Sequence, residues 1–438
     1  MVAFTRFRKR SFRRGCGMSQ AVTGAAGGSN SLDAQPPAIG AVPSLGEGLR
    51  LGVRLAPMVA STMLDRVQWW PVSKTTQVPG RIESITPGWV SGVLRPHLGG
   101  ARVVMVSVEL HSAGTSVRAR LRLRYSPIND TGRLPATVFV KSTPSLVTRI
   151  GNGLTGTAPA EAGFYNELRH LFDLEAPRGY YSATEPHSGR AVHLLEDLVA
   201  TRQATFCEPT TVISRQQAEL IVDQLARLHA RGANLELSDA LKPRWLRSYP
   251  HWWAVTGSIS AIRRYHLRGQ RRADDEGLTP PSLVGRGEQL WRSFEASVHA
   301  HCGLPRTLIH GDPHLGNWFV TGAGRMGLCD WQCISAGHWS RDLSYALASA
   351  LSVDQRRDWE HALLDRYLDR LASEGGQALP RAQAWNLYRQ QLVGALAMWT
   401  TTLYPPRFLP AMQPKSTSAE MLRRILTAID DHDALDVP

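Results

Sequence analysis

Residues 307–320 read Thr-Leu-Ile-His310-Gly-Asp312-Pro-His314-Leu-Gly-Asn317-Trp-Phe-Val320. Two apolar runs, Thr307 to Ile309 and Trp318 to Val320, flank a polar turn that places Asp312 five positions before Asn317. A second carboxylate follows in Gly327-Leu-Cys-Asp330-Trp-Gln332, where an apolar strand ends in Asp330. Phosphoryl transfer asks for one carboxylate to take a hydroxyl proton. It also asks for an amide and a second carboxylate to hold Mg²⁺ on the triphosphate. Those residue types are present here.

The spacing from Asp312 to Asn317 is also that of the kinase catalytic loop H-R-D-x-x-x-x-N. Working upstream, the run Val138-Phe-Val-Lys141 ends in lysine, in a chain with five lysines against forty-five arginines. A compact ammonium suits a phosphate bound as a point charge, where a planar guanidinium differs in reach. The next segment, Glu161-Ala-Gly-Phe-Tyr-Asn-Glu-Leu168, reads as part of a helix over 159–172. Glu161 shares a stripe with Tyr165, Leu168 and Phe172. A carboxylate on an apolar stripe is costly to bury unless paired, and Lys141 is the natural partner. The plainer alternatives are a snorkelling surface lysine and a first-turn glutamate that favours the helix dipole.

The bulk numbers fit a globular chain. Its 438 residues are 43% hydrophobic and 20% charged, long enough for one large or two ordinary domains. No apolar stretch approaches the length of a membrane span. Five cysteines at irregular spacing do not form a disulfide framework, and a reducing cytoplasm fits them. A zinc set of His310, His314, Cys329 and Cys333 is disfavoured, because strand alternation turns Cys329 away from the face carrying Asp330. The net charge of +13 invites a nucleic-acid reading. Six basic residues, however, lie in Arg6–Arg14, before the first acidic residue, Asp33, and the others are interspersed with carboxylates. That basic segment lacks the apolar core of a secretory signal, and reads as a solvated tail, a targeting stretch, or sequence upstream of a start at Met18.

An N-terminal extension over 1–80 is expected to be mostly disordered, with a short amphipathic helix over 49–70 packed on the main domain rather than on a membrane. Ser84-Ile-Thr-Pro87 introduces a helix through Leu94. Strands follow at 103–110, 117–125, 136–141 and 191–195. The first two are joined by His111-Ser-Ala-Gly114-Thr115-Ser116, the composition of a tight hairpin. From Ser214 onward the pattern is helical. Capping boxes at Ser214/Gln217, Ser352/Gln355 and Thr417/Glu420 open helices, and one long helix is expected over 381–403.

Lys141, Glu161, Leu194-Leu-Glu196-Asp-Leu198, the His310–Asn317 loop and Asp330-Trp-Gln332 occur in the order seen in the aminoglycoside phosphotransferase and choline kinase superfamily. Glu-x-x-Phe-Tyr and Leu-Glu-Asp-Leu resemble its ecdysteroid kinase-like branch most. The resemblance spans roughly residues 82–430. It implies an α+β, protein-kinase-like two-lobed fold: a small antiparallel-sheet lobe with one helix over 81–197, and a larger, mainly helical lobe over 198–433. It also implies ATP and Mg²⁺ as cofactors and a small-molecule alcohol as substrate. By resemblance Asp312 is the catalytic base, Asn317 and Asp330 are the Mg²⁺ ligands, and Lys141, held by Glu161, contacts the phosphates. The backbone from Glu196 to Leu198 meets adenine, and Gly114, Thr115 and Ser116 cover the phosphates. His310 is assigned to orienting the loop, and His314 and His229 to structure. Ser340-Arg-Asp342-Leu fits the superfamily's aspartate after the metal site, but Asp342 before an apolar helix reads equally well as its N-cap, and that structural role is preferred.

Two departures from the protein-kinase pattern bear on substrate. Gly311 stands where protein kinases of the His-Arg-Asp type carry arginine, so no cation waits there for an activation-loop phosphate. Trp331-Gln332 replaces the flexible Phe-Gly after the metal-binding aspartate. Both point to a small-molecule kinase. The aromatic, arginine-rich stretch 244–292 is where related folds contact the acceptor, although tryptophans at helical spacing are more often core. The alternative is a catalytically silent nucleotide- or partner-binding relative, whose mark would be loss of Asp312, Asn317, Asp330 or Lys141; none is lost. No stable membrane insertion and no nucleic-acid partner are expected, and the sequence leaves the oligomeric state open.

Overall fold

The computed structural model describes residues 45–67, 70–113, 116–126, 134–235, 243–260, 262–377, 379–405 and 412–436. The segment before residue 45, expected to be disordered, lies outside them. The chain enters through helices α1 (Leu45–Val67) and α2 (Pro87–Val93). The Thr86 hydroxyl caps α2 by accepting from the Trp89 N–H. Strands β1 (Arg102–Ala113), β2 (Val117–Ser126) and β3 (Thr137–Ser142) follow, then helices α3 (Leu146–Thr155) and α4 (Thr157–Gly163), then β4 (Gly179–Glu185) and β5 (Arg190–Glu196). These strands form an antiparallel five-stranded sheet in the order β1-β2-β3-β5-β4.

Period-two alternation decides which side chains go where. Ala119, Leu121 and Leu123 of β2, with Val138 and Val140 of β3, point to one face and pack with Trp89 and Val90 of α2. The opposite face carries Arg118, Lys141 and His193, which are cross-strand partners in register. The sheet therefore has an apolar back and a charged front. Beside α4 and the expected α1 and α2, the small lobe carries α3, which the sequence pattern did not announce.

The larger lobe is mainly helical. It holds α5 (Leu198–Arg202), β6 (Thr205–Phe206), α6 (Arg215–Asn234), α7 (Tyr249–Ser260), α8 (Ile262–Asp275) and α9 (Gly287–Ala300). Short strands β7 (Thr307–Ile309), β8 (Trp318–Val320), β9 (Met326–Leu328) and β10 (Ser335–Gly337) come next. Helices α10 (Ser340–Ala350), α11 (Val353–Ser373), α12 (Arg381–Gln391), α13 (Leu396–Leu403) and α14 (Lys415–Asp431) complete it. The β7-to-β8 turn and the end of β9 carry the motif residues, resting on a core built from α6, α10, α11 and α14. No helix among the described residues is long and apolar enough to cross a membrane.

Three local expectations are corrected. The helix expected over 159–172 leaves α geometry after Gly163 for a wide π turn at Phe164–Leu168 and a tight turn at Arg169–Leu171. The extra residue per turn lets Phe164 (fully buried, stacked on Trp331 at 3.8 Å) and Tyr165 both face inward. The helix expected over 381–403 breaks at Leu392–Ala395, where the backbone at Gly394 passes the Arg341 side chain: a Cβ there would lie 3.1 Å from it. The capping boxes at Ser214/Gln217 and Ser352/Gln355 are present. The third is not, because α14 starts at Lys415 behind Pro414, and Glu420 pairs with Arg423 and Arg424 instead.

Candidate active site

Lys141 leaves the front face of β3 and places its ammonium 2.7 Å from Glu161 of α4 and 2.7 Å from Asp330 beyond β9. Lys141 and Glu161 are buried, so the plainer readings of both residues are superseded. One ammonium between two carboxylates is the arrangement a low-polarity site tolerates, since each charge has a close partner. Burial alone would lower the Lys141 pKa, but Asp330 and then Glu161 outweigh it, and the ammonium is held more strongly than in water. Burial likewise works to raise the Asp330 pKa. Lys141 and Arg118 prevail and hold that carboxyl down at about 2.

Asp330 sits at φ 63°, the left-handed region that non-glycine residues seldom adopt. That conformation turns the chain from β9 into the tight turn Trp331–Cys333 and aims the carboxylate at the sheet. A second cation, Arg118 of β2, approaches Asp330 at 3.5 Å. The alternating arginines of 117–125 were the only sequence signal for it, and nothing in that pattern singled out Arg118.

The His310–Asn317 turn is fixed from below. Asp342, fully buried, accepts the backbone N–H groups of His310 (2.6 Å) and Gly311 (2.9 Å), and its carboxylate lies 3.3 Å from His229 Nε2. This corrects the expected capping role: α10 starts at Ser340, and Asp342 lies inside its first turn facing the loop. Gly311 has φ +82°, and a Cβ there would sit 2.4 Å from the Cys333 carbonyl oxygen. A side chain at that position has no room, which explains the glycine physically. His310 is buried, with Nε2 3.0 Å from the Cys329 carbonyl and Nδ1 accepting from the Asp312 N–H at 3.3 Å. Burial lowers its pKa, so the ring is neutral and ties the loop to the β9 end.

Asp312 projects from this turn. The Tyr345 hydroxyl donates to Asp312 Oδ1 at 2.9 Å and itself accepts from Trp399 Nε1 at 2.8 Å. The Asn317 Nδ2 donates to the Asp312 carbonyl at 2.8 Å and lies 3.4 Å from Oδ2. His314 stands 3.7 Å from the same oxygen, and its Nδ1 accepts from the Gly316 N–H. With its nitrogen committed to Asp312, the Asn317 side chain has its oxygen left for a cation. The Cys329 N–H donates to the Asn317 carbonyl at 2.9 Å, which brings Asn317 beside Asp330. The pairing of an amide oxygen with a carboxylate suits a hard, oxygen-seeking ion such as Mg²⁺. Tyr345 had no signal in the sequence; its position becomes meaningful only when α10 is seen beneath the loop.

Between the lobes lies a cavity of about 390 Å³. Its apolar lining includes Phe139, Leu195, Leu198, Val199 and Phe206, and its polar lining includes Lys141, Glu161, Asn317 and Asp330. Glu196 and Leu198 both border it; the Glu196 N–H is already given to the Arg178 carbonyl, and its carboxylate pairs with Arg202. Of the three residues expected over the phosphates, Gly114 and Thr115 lie outside the described residues. Ser116 is buried, and its hydroxyl has no partner among the described residues. In the aromatic stretch after Arg244, Trp253 and Trp291 pack in a core cluster with Phe294, while Trp245 rests against Gly163 of α4. A wider depression of about 530 Å³ near Arg268, Arg271 and Tyr404 contains none of the motif residues.

A lysine–glutamate pair under a five-stranded sheet, facing an Asp–Asn loop and a second aspartate on a helical lobe, defines a two-lobed, kinase-like protein. The chain belongs to the phosphotransferase enzyme family, whose sequence profile matches residues 125–385. No curated protein matches the sequence. Among solved structures, it is similar to an ethanolamine kinase of Plasmodium vivax (11% identity, TM-score 0.45, covering 85% of this chain and 93% of that one). It is also similar to a choline kinase of Cryptosporidium parvum (9%, 0.47, 79% and 96%) and a macrolide 2'-phosphotransferase of Brachybacterium faecium (17%, 0.36, 73% and 98%). These likenesses do not identify an acceptor.

Proposed function

We propose that the protein is an ATP-dependent phosphotransferase that moves the γ-phosphate to a hydroxyl of a small organic molecule. The observation that carries this reading is Lys141 lying 2.7 Å from both Glu161 and Asp330, across the cavity bordered by Asn317. In this reading adenine occupies the apolar part of the cavity beside Leu198, and Lys141 contacts the phosphates while Glu161 fixes it. Ser116 offers a hydroxyl toward the phosphates. Asn317 and Asp330 would hold Mg²⁺, which when bound offsets charge on the triphosphate. Asp312, oriented by Tyr345 and Asn317, positions the acceptor hydroxyl and takes its proton.

Transfer is balanced simply: the acceptor oxygen bonds to the γ-phosphorus, the bond to the bridging oxygen of ADP breaks, and the hydroxyl proton passes to Asp312. The test is ATP consumption by the purified protein against a panel of sugar, steroid-like, macrolide and choline-like alcohols. One class should accelerate ADP release with incorporation of phosphate, and Asp330→Ala should weaken Mg-ATP binding. An unchanged Mg²⁺ dependence in that variant would remove Asp330 from the metal site.

A further inference from the structure

Helix α1 presents two unlike faces. Its inner face is polar and docked: Asp65 pairs with Arg149 at 2.6 Å and with Arg190 at 2.7 Å, and the Ser61 hydroxyl lies 3.1 Å from the Ser188 carbonyl. Thr62 and Met58 are buried on that side. The outer face is apolar and exposed, with Val53 70% exposed, Met63 50%, Leu64 56% and Val67 79%. Trp70, just beyond the helix, is also 70% exposed. At 100° per residue these positions, with Gly52, Ala56, Pro57, Val59 and Ala60 between them, sweep an arc of roughly 160° without a charge. The usual polarity of a surface helix is inverted, and a continuous exposed apolar strip of this kind marks an interaction site.

Charge identifies the partner. Residues 1–80 contain ten basic side chains and three acidic ones, more than half of the net +13 of the whole chain. Six of the basic residues lie in Arg6–Arg14, about thirty positions before α1 in the sequence, and the exposed Arg66 and Lys74 flank its far end. A second copy of the chain fits less well. A 23-residue helix is about 35 Å long and about 10 Å wide, so its face covers roughly 350 Å². A stable dimer needs about 800 Å² from each partner, and two such basic segments would repel.

We propose that the outer face of α1 docks flat on an anionic lipid surface, with the basic segment before it supplying the electrostatic part of the attachment. An apolar helix face and a polybasic run are the two signals that together give stable peripheral binding, where either alone is marginal. The protein is held at the interface through α1, without a span, and the Asp65–Arg149 contact transmits that attachment to the small lobe.

The experiment is flotation of the full-length protein with vesicles of phosphatidylcholine containing about 30% phosphatidylserine, and with phosphatidylcholine alone. The intact protein should float with the anionic vesicles and stay behind with the neutral ones. Leu64→Glu combined with Val67→Glu should reduce flotation roughly tenfold or more. Met63→Gln with Leu64→Gln, which adds no charge, should also reduce it. Both positions pairs are exposed, so thermal melting should be unaltered. Wild-type protein that fails to float, or variants that float equally well, would overturn the proposal. So would a concentration-dependent dimer in solution that the same substitutions dissociate. None of these outcomes touches the assignment of Asp312 or Lys141.

Discussion

Replacing Tyr345 by phenylalanine removes one hydroxyl from beneath Asp312 and leaves the ring in place. The ring packs under Arg341, whose guanidinium carbon lies 4.5 Å from its centroid, so the local packing survives the change. What is lost is a 2.9 Å hydrogen bond to a carboxylate, together with the acceptor of the Trp399 N–H. Hydrogen bonds to charged groups contribute about 1.5–3 kcal/mol. If that energy orients and stabilises the Asp312 carboxylate, kcat should fall about 10- to 100-fold. Affinity for nucleotide should be unchanged, since Lys141 and Asp330 are untouched. The buried Trp399 donor left without a partner should cost about 1–3 kcal/mol in denaturant unfolding. The assay is steady-state ADP release with an accepted alcohol. A kcat within twofold of wild type would contradict this role for the hydroxyl.

Asp342→Asn removes a buried charge that accepts two backbone N–H groups of the His310–Asn317 turn. Stability should drop by at least about 1.5–3 kcal/mol and turnover should fall with it; denaturant melts indistinguishable from wild type would show that the anchor is dispensable. Burial lowers the pKa of His266 and of His301 to about 4, and that of His338 to about 3, against an ordinary value of 6.5. Each depressed value means the unfolded chain binds a proton that the folded chain refuses. The stability they contribute is therefore complete above pH 6.5 and is lost as pH falls toward 4, at up to about 1.4 kcal/mol per pH unit for each histidine. Equal unfolding free energies at pH 7 and pH 5 would contradict this.

What the sequence made legible was whatever short-range pattern dictates. Alternation in 136–141 and the stripe through Glu161 put Lys141 and Glu161 on facing surfaces, and they meet at 2.7 Å. The Asp312-to-Asn317 spacing similarly marked the turn that carries both residues, where the Asn317 amide donates to the Asp312 carbonyl. The missed features depend on tertiary approach. Arg118 is one of four alternating arginines, and only the register of β2 with β3 sets it opposite Lys141. Asp342 looked like a cap, because a carboxylate at a helix start favours the dipole wherever it points. Its true partners lie about thirty residues away, on the β7 turn. The π turn after Gly163 was invisible for the same reason, since it satisfies contacts with Trp331 and Trp245 that no local periodicity encodes.

In the proposed reaction the Asp312 carboxylate receives the acceptor proton within a nucleotide site that other residues assemble. Single-turnover transfer of labelled γ-phosphate by Asp312→Ala, measured beside calorimetric binding of Mg-ATP, addresses it most directly. Transfer should be abolished while nucleotide affinity is retained. Transfer at the wild-type rate in that variant would contradict it.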